Sequence, residues 1–477
     1  MTRAVVLGGG FAGVLAAAVL AKHVDDVVLI EGDRYPSGPG PRRGLPQSHH
    51  NHTLVTGGAR ALQALLPGIL EALYARGAHR RGLPADALIL ASEGWFRRLD
   101  TGAYLVACSR GLLDQVVRRR ALGGGAVSVW EGARALGLTG DATRVTGVLA
   151  AREDGPAETI RADLVVDATG RRSKAPRWLA GIGAPEVEET TVASGLAYAT
   201  RIYRAPQDLA AGIPAIMLHP RPAKGEPGQG ATLFPIEDGR WVVTLTGTRG
   251  GEPPVDERGF TCFARSLRDP IVADLMAAAT PVGGIRPYRD TSNRRRFFER
   301  ARLPEGFLAI GDAVVAVNPV HSHGMSVAAL GALRLDEELT RRGFEPSATP
   351  ELQAAMAAEA DRSWRMAIQQ DGGHARPEAG PRREATAMER LIQTRLARAA
   401  LSSPEIAAEL FRAQTLVSSD AGKDRSALFL AMSGKPDPLL TAEEAVGQHP
   451  ELHRWRLSRS LPPVRPPRVP AGGEIHP

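Results

Sequence analysis

The start of the chain contains the sequence feature that most restricts its fold. An apolar, β-branched run at residues 3–7 is too short for a helix and indicates a buried parallel strand. The glycine-rich turn GGGFAG follows at residues 8–13, and then an Ala- and Leu-rich helix at residues 14–23. A second strand at residues 27–30 ends in Glu31. This order of elements predicts a βαβ unit.

The glycines and Glu31 indicate a ligand-binding turn and not a glycine-rich turn without a ligand. Gly8 permits the tight turn, Gly10 lets backbone N–H groups approach a pyrophosphate, and Gly13 allows close packing of helix and strand. The helix N-terminus attracts the phosphates, and Glu31 can accept hydrogen bonds from both hydroxyls of a ribose. The same glycines interrupt an apolar stretch that would otherwise imitate a signal peptide.

Two later blocks extend this unit. Residues 162–168 indicate a strand that ends in the turn sequence DATG, and residues 306–310 indicate another strand followed by Gly311-Asp312-Ala313. A helix is predicted at residues 327–339. Because the carboxyl ends of parallel strands meet at one edge of a sheet, three strand ends are expected to converge on one ligand-binding crevice.

The middle of the chain has a different sequence pattern, in which apolar and polar residues alternate. Residues 196–203, 231–236 and 240–248 indicate strands separated by Pro and Gly clusters, which predicts an antiparallel sheet with one covered face. Such a sheet suits a wall over a substrate pocket. The chain is expected to be helical from about residue 341 to 447, and the proline-rich residues 461–477 are expected to be extended or disordered.

Composition excludes several classes of protein. Only five of the 59 basic residues are Lys, and the arginines are scattered, so the net charge of +7 indicates a solvated surface and not a nucleic-acid site. Two cysteines, Cys108 and Cys262, cannot form a disulfide framework or a thiolate metal site. No apolar segment is long enough to span a membrane. We expect a cytoplasmic protein without a metal.

These blocks together resemble the FAD-dependent monooxygenases of the para-hydroxybenzoate hydroxylase type. Within that superfamily the chain looks most like the polyene epoxidases of polyether antibiotic biosynthesis, the monensin and lasalocid kind. The resemblance covers roughly residues 3–340. Beside the N-terminal unit it is carried by residues 42–47 (RRGLPQ) with His50 and His52, and by residues 107–110, 167–171, 198–201, 204–206, 235–241, 246–254 and 311–325.

The resemblance implies an α/β fold with a discontinuous, Rossmann-like FAD-binding domain of the GR2 type. That domain is expected to comprise residues 1–80, 106–175 and 286–340. An inserted antiparallel-sheet substrate domain would comprise residues 81–105 and 176–285. A helical C-terminal region at residues 341–460 and a Pro-rich tail at residues 461–477 would complete the chain.

The resemblance also assigns residues to the cofactor. It places Gly8, Gly10, Phe11, Ala12, Gly13 and Glu31 around the ADP half of FAD, and Ala135 at the adenine. Arg42, Arg43 and Arg110 are expected near the phosphates or the ribityl chain, and Asp312 at the ribityl chain. Pro319, Gly324 and Met325 belong to the loop whose N–H groups face the N1 and C2 edge of the flavin.

On the substrate side the expected pocket residues are His50, His52, Tyr198, Thr200, Trp241, His321 and His323. A metal site at residues 49–52 is disfavoured, since adjacent histidines lack the spacing of zinc motifs; an exposed loop is the other alternative. For His321 and His323 the alternative is a proton relay, and for Tyr198, Thr200 and Trp241 it is sheet packing. The family commonly has an Arg at the position of His49 and an aromatic-Gly pair at His321-Ser322.

The function that the resemblance implies is epoxidation of a polyketide-type polyene in secondary metabolism, through an FAD C4a-hydroperoxide. O2 and NAD(P)H, used directly or through a flavin reductase, would be the other reactants. No substrate proton is lost, so no catalytic side chain is expected. A hydroxylase of aromatic compounds or polyketides is the main alternative. A halogenase is less favoured because no Trp-x-Trp-x-Ile-Pro signature occurs, and an isoprenoid reductase and an RNA-binding flavoprotein are further alternatives.

Overall fold

The structure is a computed structural model of the chain. It describes residues 1–40, 42, 44–153, 155–209, 212–221, 226–371, 386–417, 431–432 and 437–460. The Pro-rich tail at residues 461–477 therefore lies outside the described residues. Among the described helices, none combines the length and the apolar character that crossing a membrane requires.

The described strands are these, in chain order: β1 (Arg3–Leu7), β2 (Asp26–Glu31), β3 (Thr53–Val55), β4 (His79–Pro84), β5 (Ala87–Leu90), β6 (Asp100–Ala107), β7 (Val127–Glu131), β8 (Ala133–Gly140), β9 (Val145–Arg152), β10 (Ala157–Arg161), β11 (Leu164–Asp167), β12 (Glu189–Val192), β13 (Leu196–Arg204), β14 (Ala215–Leu218), β15 (Gln229–Ile236), β16 (Arg240–Thr248), β17 (Thr280–Tyr288), β18 (Asn293–Arg296), β19 (Phe307–Ala309) and β20 (Val315–Ala316).

The described α-helices are these: α1 (Phe11–Leu20), α2 (Thr56–Leu65), α3 (Ile69–Ala75), α4 (Arg110–Leu122), α5 (Ala175–Gly181), α6 (Glu257–Ser266), α7 (Ile271–Ala278), α8 (Gly324–Arg342), α9 (Thr349–Asp371), α10 (Ala387–Ala400), α11 (Pro404–Gln414), α12 (Ala442–Gly447) and α13 (Pro450–Ser460).

A parallel sheet of five strands, in the order β19-β11-β1-β2-β7, organises the first layer. The predicted βαβ unit is confirmed as β1-α1-β2, although α1 begins at Phe11, directly after the glycines, and ends at Leu20. The other two predicted strands are confirmed as β11, beside β1, and β19, beside β11. The carboxyl ends of these three strands therefore converge on one crevice.

A second sheet has the order β17-β13-β16-β15-β14-β5 and is antiparallel except for the β14-β5 pair. Its strands β13, β15 and β16 confirm the three predicted strands. The expectation of one covered face is wrong, because both faces are buried. Trp241 and Val243 face a core with α6 and α7, whereas Val242 and Phe234 face a core that includes α10 and α11.

The C-terminal region is helical where it is described, as predicted. Helix α9 packs on α8 and on β19 of the parallel sheet. Helix α11 contacts β6, and its end at Thr415 accepts a hydrogen bond from the Gly57 N–H at 2.8 Å. The C-terminal helices are therefore built into the fold and are not an appendage.

Candidate functional site

A cavity of about 520 Å³ lies at the carboxyl ends of the parallel strands. It is within the range of small-molecule pockets, roughly 300–1,000 Å³. Its lining includes strand-end residues Leu7, Ile30 and Ala168. The following predicted cofactor residues also line it: Gly8, Gly10, Phe11, Ala12, Glu31, Arg42, Arg110, Ala135, Asp312, Pro319, Gly324 and Met325.

The glycine turn shapes one wall of the cavity. Gly8 has φ +93°, and a Cβ added there would lie 2.7 Å from the Ala168 carbonyl oxygen. A Cβ at Gly13, which packs behind the cavity wall, would lie 1.8 Å from the Gly8 carbonyl oxygen. A Cβ at Gly10 would meet no protein atom within 4 Å. Gly8 and Gly13 are thus required by the protein itself, and Gly10 keeps cavity space open.

Glu31 is held by three protein donors. The Gly9 N–H donates to its Oε2 at 2.6 Å, and the Asp33 N–H donates to Oε1 at 2.7 Å. Arg42 Nη2 lies 2.7 Å from Oε2. A carboxylate offers about four lone-pair sites, so Glu31 keeps room for a donor from a ligand. Its contact with the ribose hydroxyls stays a prediction.

Arg42 is fixed at the same end of the cavity. Its Nη1 donates to the Gly9 carbonyl oxygen at 2.8 Å, and its guanidinium lies 4.8 Å from the ring centroid of Tyr35. Its Nε is buried without a hydrogen-bond partner. Arg43 lies outside the described residues.

Arg110 begins helix α4, where Ser109 caps the helix by accepting from the Leu112 N–H at 3.1 Å. Arg110 Nε donates to Asp114 at 2.7 Å, which orients the guanidinium along the cavity wall. Its side chain is buried. Because it lies at a helix N-terminus beside Phe11, it suits an anionic group in the middle of the cavity.

Asp312 follows β19 and lines the cavity. Burial raises the pKa of its carboxyl, while Arg171 and Arg110 act in the opposite direction. Within the described part of the chain, no protein hydrogen bond to this carboxylate is found. A half-buried carboxylate that faces a cavity in this way would be stabilised by a ligand with hydroxyl donors.

Helix α8 points its N-terminus at the cavity. His323 is its N-cap residue but makes no side-chain cap, and the first in-helix hydrogen bond runs from the Val327 N–H to the His323 carbonyl at 2.8 Å. The N–H groups of Gly324 and Met325 therefore precede the hydrogen-bonded turns. They give this end of the cavity a partial positive charge.

On the sheet side, His50 joins the cavity segment to the antiparallel sheet. His50 Nδ1 lies 2.8 Å from Thr200 Oγ1, and Thr200 Oγ1 lies 2.8 Å from Thr244 Oγ1. The rings of His50 and Tyr288 are 5.1 Å apart at their centroids, and Tyr288 lines the cavity.

Three of the predicted pocket histidines, the half-buried His50 and His52 and the buried His323, have lowered pKa values and are uncharged near neutral pH. Burial, with a smaller effect of His49, lowers the pKa of His50 to about 4. Burial and then Arg110 lower the pKa of His52 to about 3. Burial and then His321 lower the pKa of His323 to about 4. Of these, His52 and His323 line the cavity.

Tyr198 and His321 belong to a polar network behind the cavity lining. The Tyr198 hydroxyl donates to Asn318 Oδ1 and accepts from the Val320 N–H. His321 Nε2 lies 3.3 Å from Asp371 Oδ1. This network supports the loop that carries Pro319.

Trp241 is placed away from the other predicted pocket residues. It is fully buried in the core with α6 and α7, its cross-strand partner is Tyr203, and it does not line the cavity. Thr200 pairs with Thr244, three residues from Trp241. Since side chains alternate along a strand, Trp241 and Thr200 lie on opposite faces. The surroundings of Trp241 therefore support a role in sheet packing, which was the alternative considered for it.

Several lining residues escaped the sequence analysis. Tyr288, Asn51, Arg171, Arg134 and Trp178 all line the cavity, and Asn51 Oδ1 is buried without a hydrogen-bond partner. Arg171 closes the 167–171 segment and Asn51 lies within residues 49–52, so both stood in segments that the sequence had singled out. Tyr288, Arg134 and Trp178 lie in no such segment.

The chain matches a protein family described as FAD binding domain over residues 1–371. It is also 31% identical over 382 residues to Protein Rv3254 of Mycobacterium tuberculosis, which covers 76% of this chain and 79% of that protein.

Solved structures share the fold at low identity. The flavin-dependent brominase Bmp2 superposes with a TM-score of 0.62 at 18% identity, covering 90% of this chain and 98% of Bmp2. The p-nitrophenol 4-monooxygenase PnpA of Pseudomonas putida gives 0.62 at 18% identity, covering 88% and 100%. PqsL of Pseudomonas aeruginosa, in complex with 2-aminobenzoylacetate, gives 0.59 at 17%, covering 78% and 94%. The fold is thus α/β with an FAD-binding domain of the para-hydroxybenzoate hydroxylase type.

The cavity residues fit FAD. The open space at Gly10, the α1 N-terminus and Arg110 suit a pyrophosphate, and Glu31 has one acceptor site left for a ribose hydroxyl. Asp312 would hold hydroxyls of the ribityl chain, and the start of α8 would face the electron-rich edge of the ring system. When bound, FAD supplies the redox chemistry that side chains cannot provide.

Proposed function

We infer that this chain, which belongs to the FAD binding domain family, is a flavin-dependent monooxygenase, and we propose that it epoxidises an alkene of a neutral, polyketide-type polyene. Two electrons and one proton come as a hydride from reduced pyridine nucleotide, directly or through a reductase, and a second proton comes from solvent. One atom of O2 enters the alkene and the other leaves as water. This chain's residues bind the cofactor, hold the substrate and exclude water.

The observation that carries the epoxidase proposal is that the histidines beside the cavity are already engaged by protein partners: His50 by Thr200, His52 by the His50 carbonyl, and His323 by Ser363 and the Gln414 carbonyl. With pKa values of about 4, 3 and 4, His50, His52 and His323 are weak bases near pH 7. Efficient general bases have a pKa near the working pH. Removing a phenolic proton needs such a base, whereas an alkene that becomes an epoxide loses no proton. These side chains therefore suit an uncharged alkene.

The sheet side of the site favours the same substrate. Tyr288 lines the cavity, and next to its ring His50, Thr200 and Thr244 form a chain of hydrogen bonds without a formal charge. Arg201, on the same strand as Thr200, forms an ion pair with Glu257 of α6, with Nη1 and Oε2 2.5 Å apart. A long unsaturated chain can pack against such a wall without burying an unpaired charge.

The test is a turnover assay of the FAD-loaded protein with NADPH, oxygen-18 gas and two probes of similar size, a neutral linear polyene and a phenol. We expect one labelled oxygen atom in an epoxide of the polyene, and none from labelled water. A labelled catechol from the phenol, with the polyene untouched, would instead establish the aromatic hydroxylase. Reduction of the polyene without oxygen would establish an alkene reductase.

A further inference from the structure

The turn that joins Pro319 to helix α8 is held in an unusual conformation. Ser322 has φ +55° and ψ +24°, a left-handed backbone that residues with a side chain rarely adopt. Pro319, Ser322 and Gly324 of this turn all line the cavity. A strained backbone of this kind persists only where its surroundings fix it firmly.

His323 fixes one side of the turn through both ring nitrogens. Its Nε2 lies 2.9 Å from the Gln414 carbonyl oxygen at the end of α11, and its Nδ1 lies 3.0 Å from Ser363 Oγ on α9. A carbonyl oxygen can only accept, so Nε2 carries the proton. The neutral ring, whose pKa burial lowers to about 4, then accepts from the Ser363 hydroxyl at Nδ1. Each nitrogen has the partner that its protonation requires.

The other side of the turn is also tied to α9. Asp371, the last residue of α9, accepts from Asn318 Nδ2 at 3.1 Å and from Asn293 Nδ2 at 2.7 Å. Its Oδ1 lies 3.3 Å from His321 Nε2. Ser322 is therefore flanked by two histidines, and both contact α9.

The end of α11 is itself firmly anchored. The Thr415 carbonyl oxygen accepts from the Gly57 N–H of α2 at 2.8 Å, and the Leu416 carbonyl oxygen accepts from Arg362 Nη1 of α9 at 3.1 Å. The three consecutive carbonyl groups of residues 414–416 thus connect α2, α9 and the cavity turn. A displacement of α11 would be transmitted to His323.

We propose that helices α9 and α11 form a brace that fixes the cavity turn at residues 319–324, and that His323 is the positioning residue through which the brace sets the start of α8. The Gly324 and Met325 N–H groups then keep a fixed direction toward the cofactor. This inference requires only that FAD binds, so it does not depend on which reaction the protein performs.

The test uses His323 variants that keep one bond at a time. His323→Gln retains a donor for the Gln414 carbonyl, His323→Asn retains an acceptor for Ser363, and His323→Ala loses both. FAD affinity of the apoproteins is measured by titration, and the visible absorption spectrum of bound FAD reports its surroundings. We expect the dissociation constant to rise about tenfold for each bond lost, with Ala the weakest, and the flavin spectrum to shift in the same order.

His449→Gln is the matched control. His449 is also a buried histidine with its pKa lowered to about 4, by burial and then Arg98, but it lies between α12 and α13 and not at the cavity. We expect this variant to lose stability and to bind FAD like the wild type. Equal weakening of FAD binding by His449→Gln and His323→Gln would overturn the proposal, because a general loss of stability would then explain both.

A milder change covers the case in which His323→Ala does not fold. Ser363→Ala removes one hydrogen bond at the edge of the turn, and we expect amide hydrogen exchange at residues 320–324 of the FAD-bound protein to accelerate about tenfold. Unchanged exchange there, or wild-type FAD affinity and spectrum in His323→Asn and His323→Gln, would show that the brace does not set the turn.

Discussion

The two ends of the cavity are built on different physical principles. At the nucleotide end, Glu31 and Arg42 form a buried ion pair, and backbone N–H groups complete it. At the sheet end, His50 and Thr200 form a chain of neutral hydrogen bonds with Thr244. The first end depends on charge and a close backbone turn, and the second on burial. Substitutions at the nucleotide end should therefore abolish folding or FAD binding, whereas substitutions at the sheet end should cause smaller, graded losses.

The largest effect is expected at the glycine turn, where two neighbouring glycines should fail in different ways. A Cβ at Gly13 would overlap the Gly8 carbonyl oxygen at 1.8 Å, so Gly13→Ala should not yield folded protein. A Cβ at Gly10 would meet no atom of the described residues within 4 Å, and the φ of −74° is ordinary, so Gly10→Val should fold and lose FAD. The FAD-to-protein absorbance ratio and the melting temperature separate the two. Retention of FAD by Gly10→Val would contradict the placement of the pyrophosphate.

The next effect concerns the buried ion pair. Glu31→Ala removes the nearer of two carboxylates from the Arg42 guanidinium, whose side chain is only 5% exposed; Asp33 Oδ2 remains, 3.8 Å from Nε. Breaking a buried pair on one side costs about 3–5 kcal/mol, which urea unfolding of the apoprotein measures. The double variant Glu31→Gln with Arg42→Met removes both charges and should recover part of this loss. No recovery would mean that the backbone contacts of Glu31, and not its charge, carry the stability.

The sequence predicted the βαβ unit of the nucleotide end well because its determinants are local. Gly8, Gly13 and Glu31 all fall within one βαβ unit, where steric requirements follow from residue type and order. The pairing of Arg42 with Glu31 was not foreseen, since it depends on how the following loop folds back. The same holds for Tyr35, whose hydroxyl donates to the Gly9 carbonyl oxygen at 2.9 Å.

The sheet end was harder to predict because it depends on pairing between distant segments. The face of Trp241 is set by its register with β13, and the alternation of apolar residues alone does not give that register. His323 has two partners that lie far along the chain: Ser363, 40 residues further on, and Gln414, 91 residues further on. No spacing rule connects such positions.

Acid should destabilise the fold through three histidines, His50 at the sheet end and His52 and His323 in the cavity lining. His50, His52 and His323 have pKa values of about 4, 3 and 4, compared with 6.5 in an unfolded chain. As pH falls below 6.5, the unfolded chain binds protons that the folded chain does not, so stability is lost toward pH 4. Each histidine contributes about 1.4 kcal/mol per pH unit in that window. Urea unfolding between about pH 5 and neutrality should show this slope, and His50→Gln should reduce it by one histidine's share. An unchanged slope would show that His50 is not buried neutral.

The smallest effect separates the two faces of the antiparallel sheet. Thr200→Val keeps the shape of the side chain but removes the hydroxyl between His50 and Thr244, at a cost of about 1 kcal/mol. Because His50 then loses its anchor beside Tyr288, a bound polyene should shift along the wall. We expect a changed ratio of epoxide positions or more hydrogen peroxide released per NADPH, with oxygen transfer still detectable. Trp241→Phe changes the opposite face, so it should lower stability and leave the product ratio alone. A product ratio that responds to Trp241→Phe and not to Thr200→Val would place the substrate on the other side of the sheet, since only a ligand on that side could sense the indole.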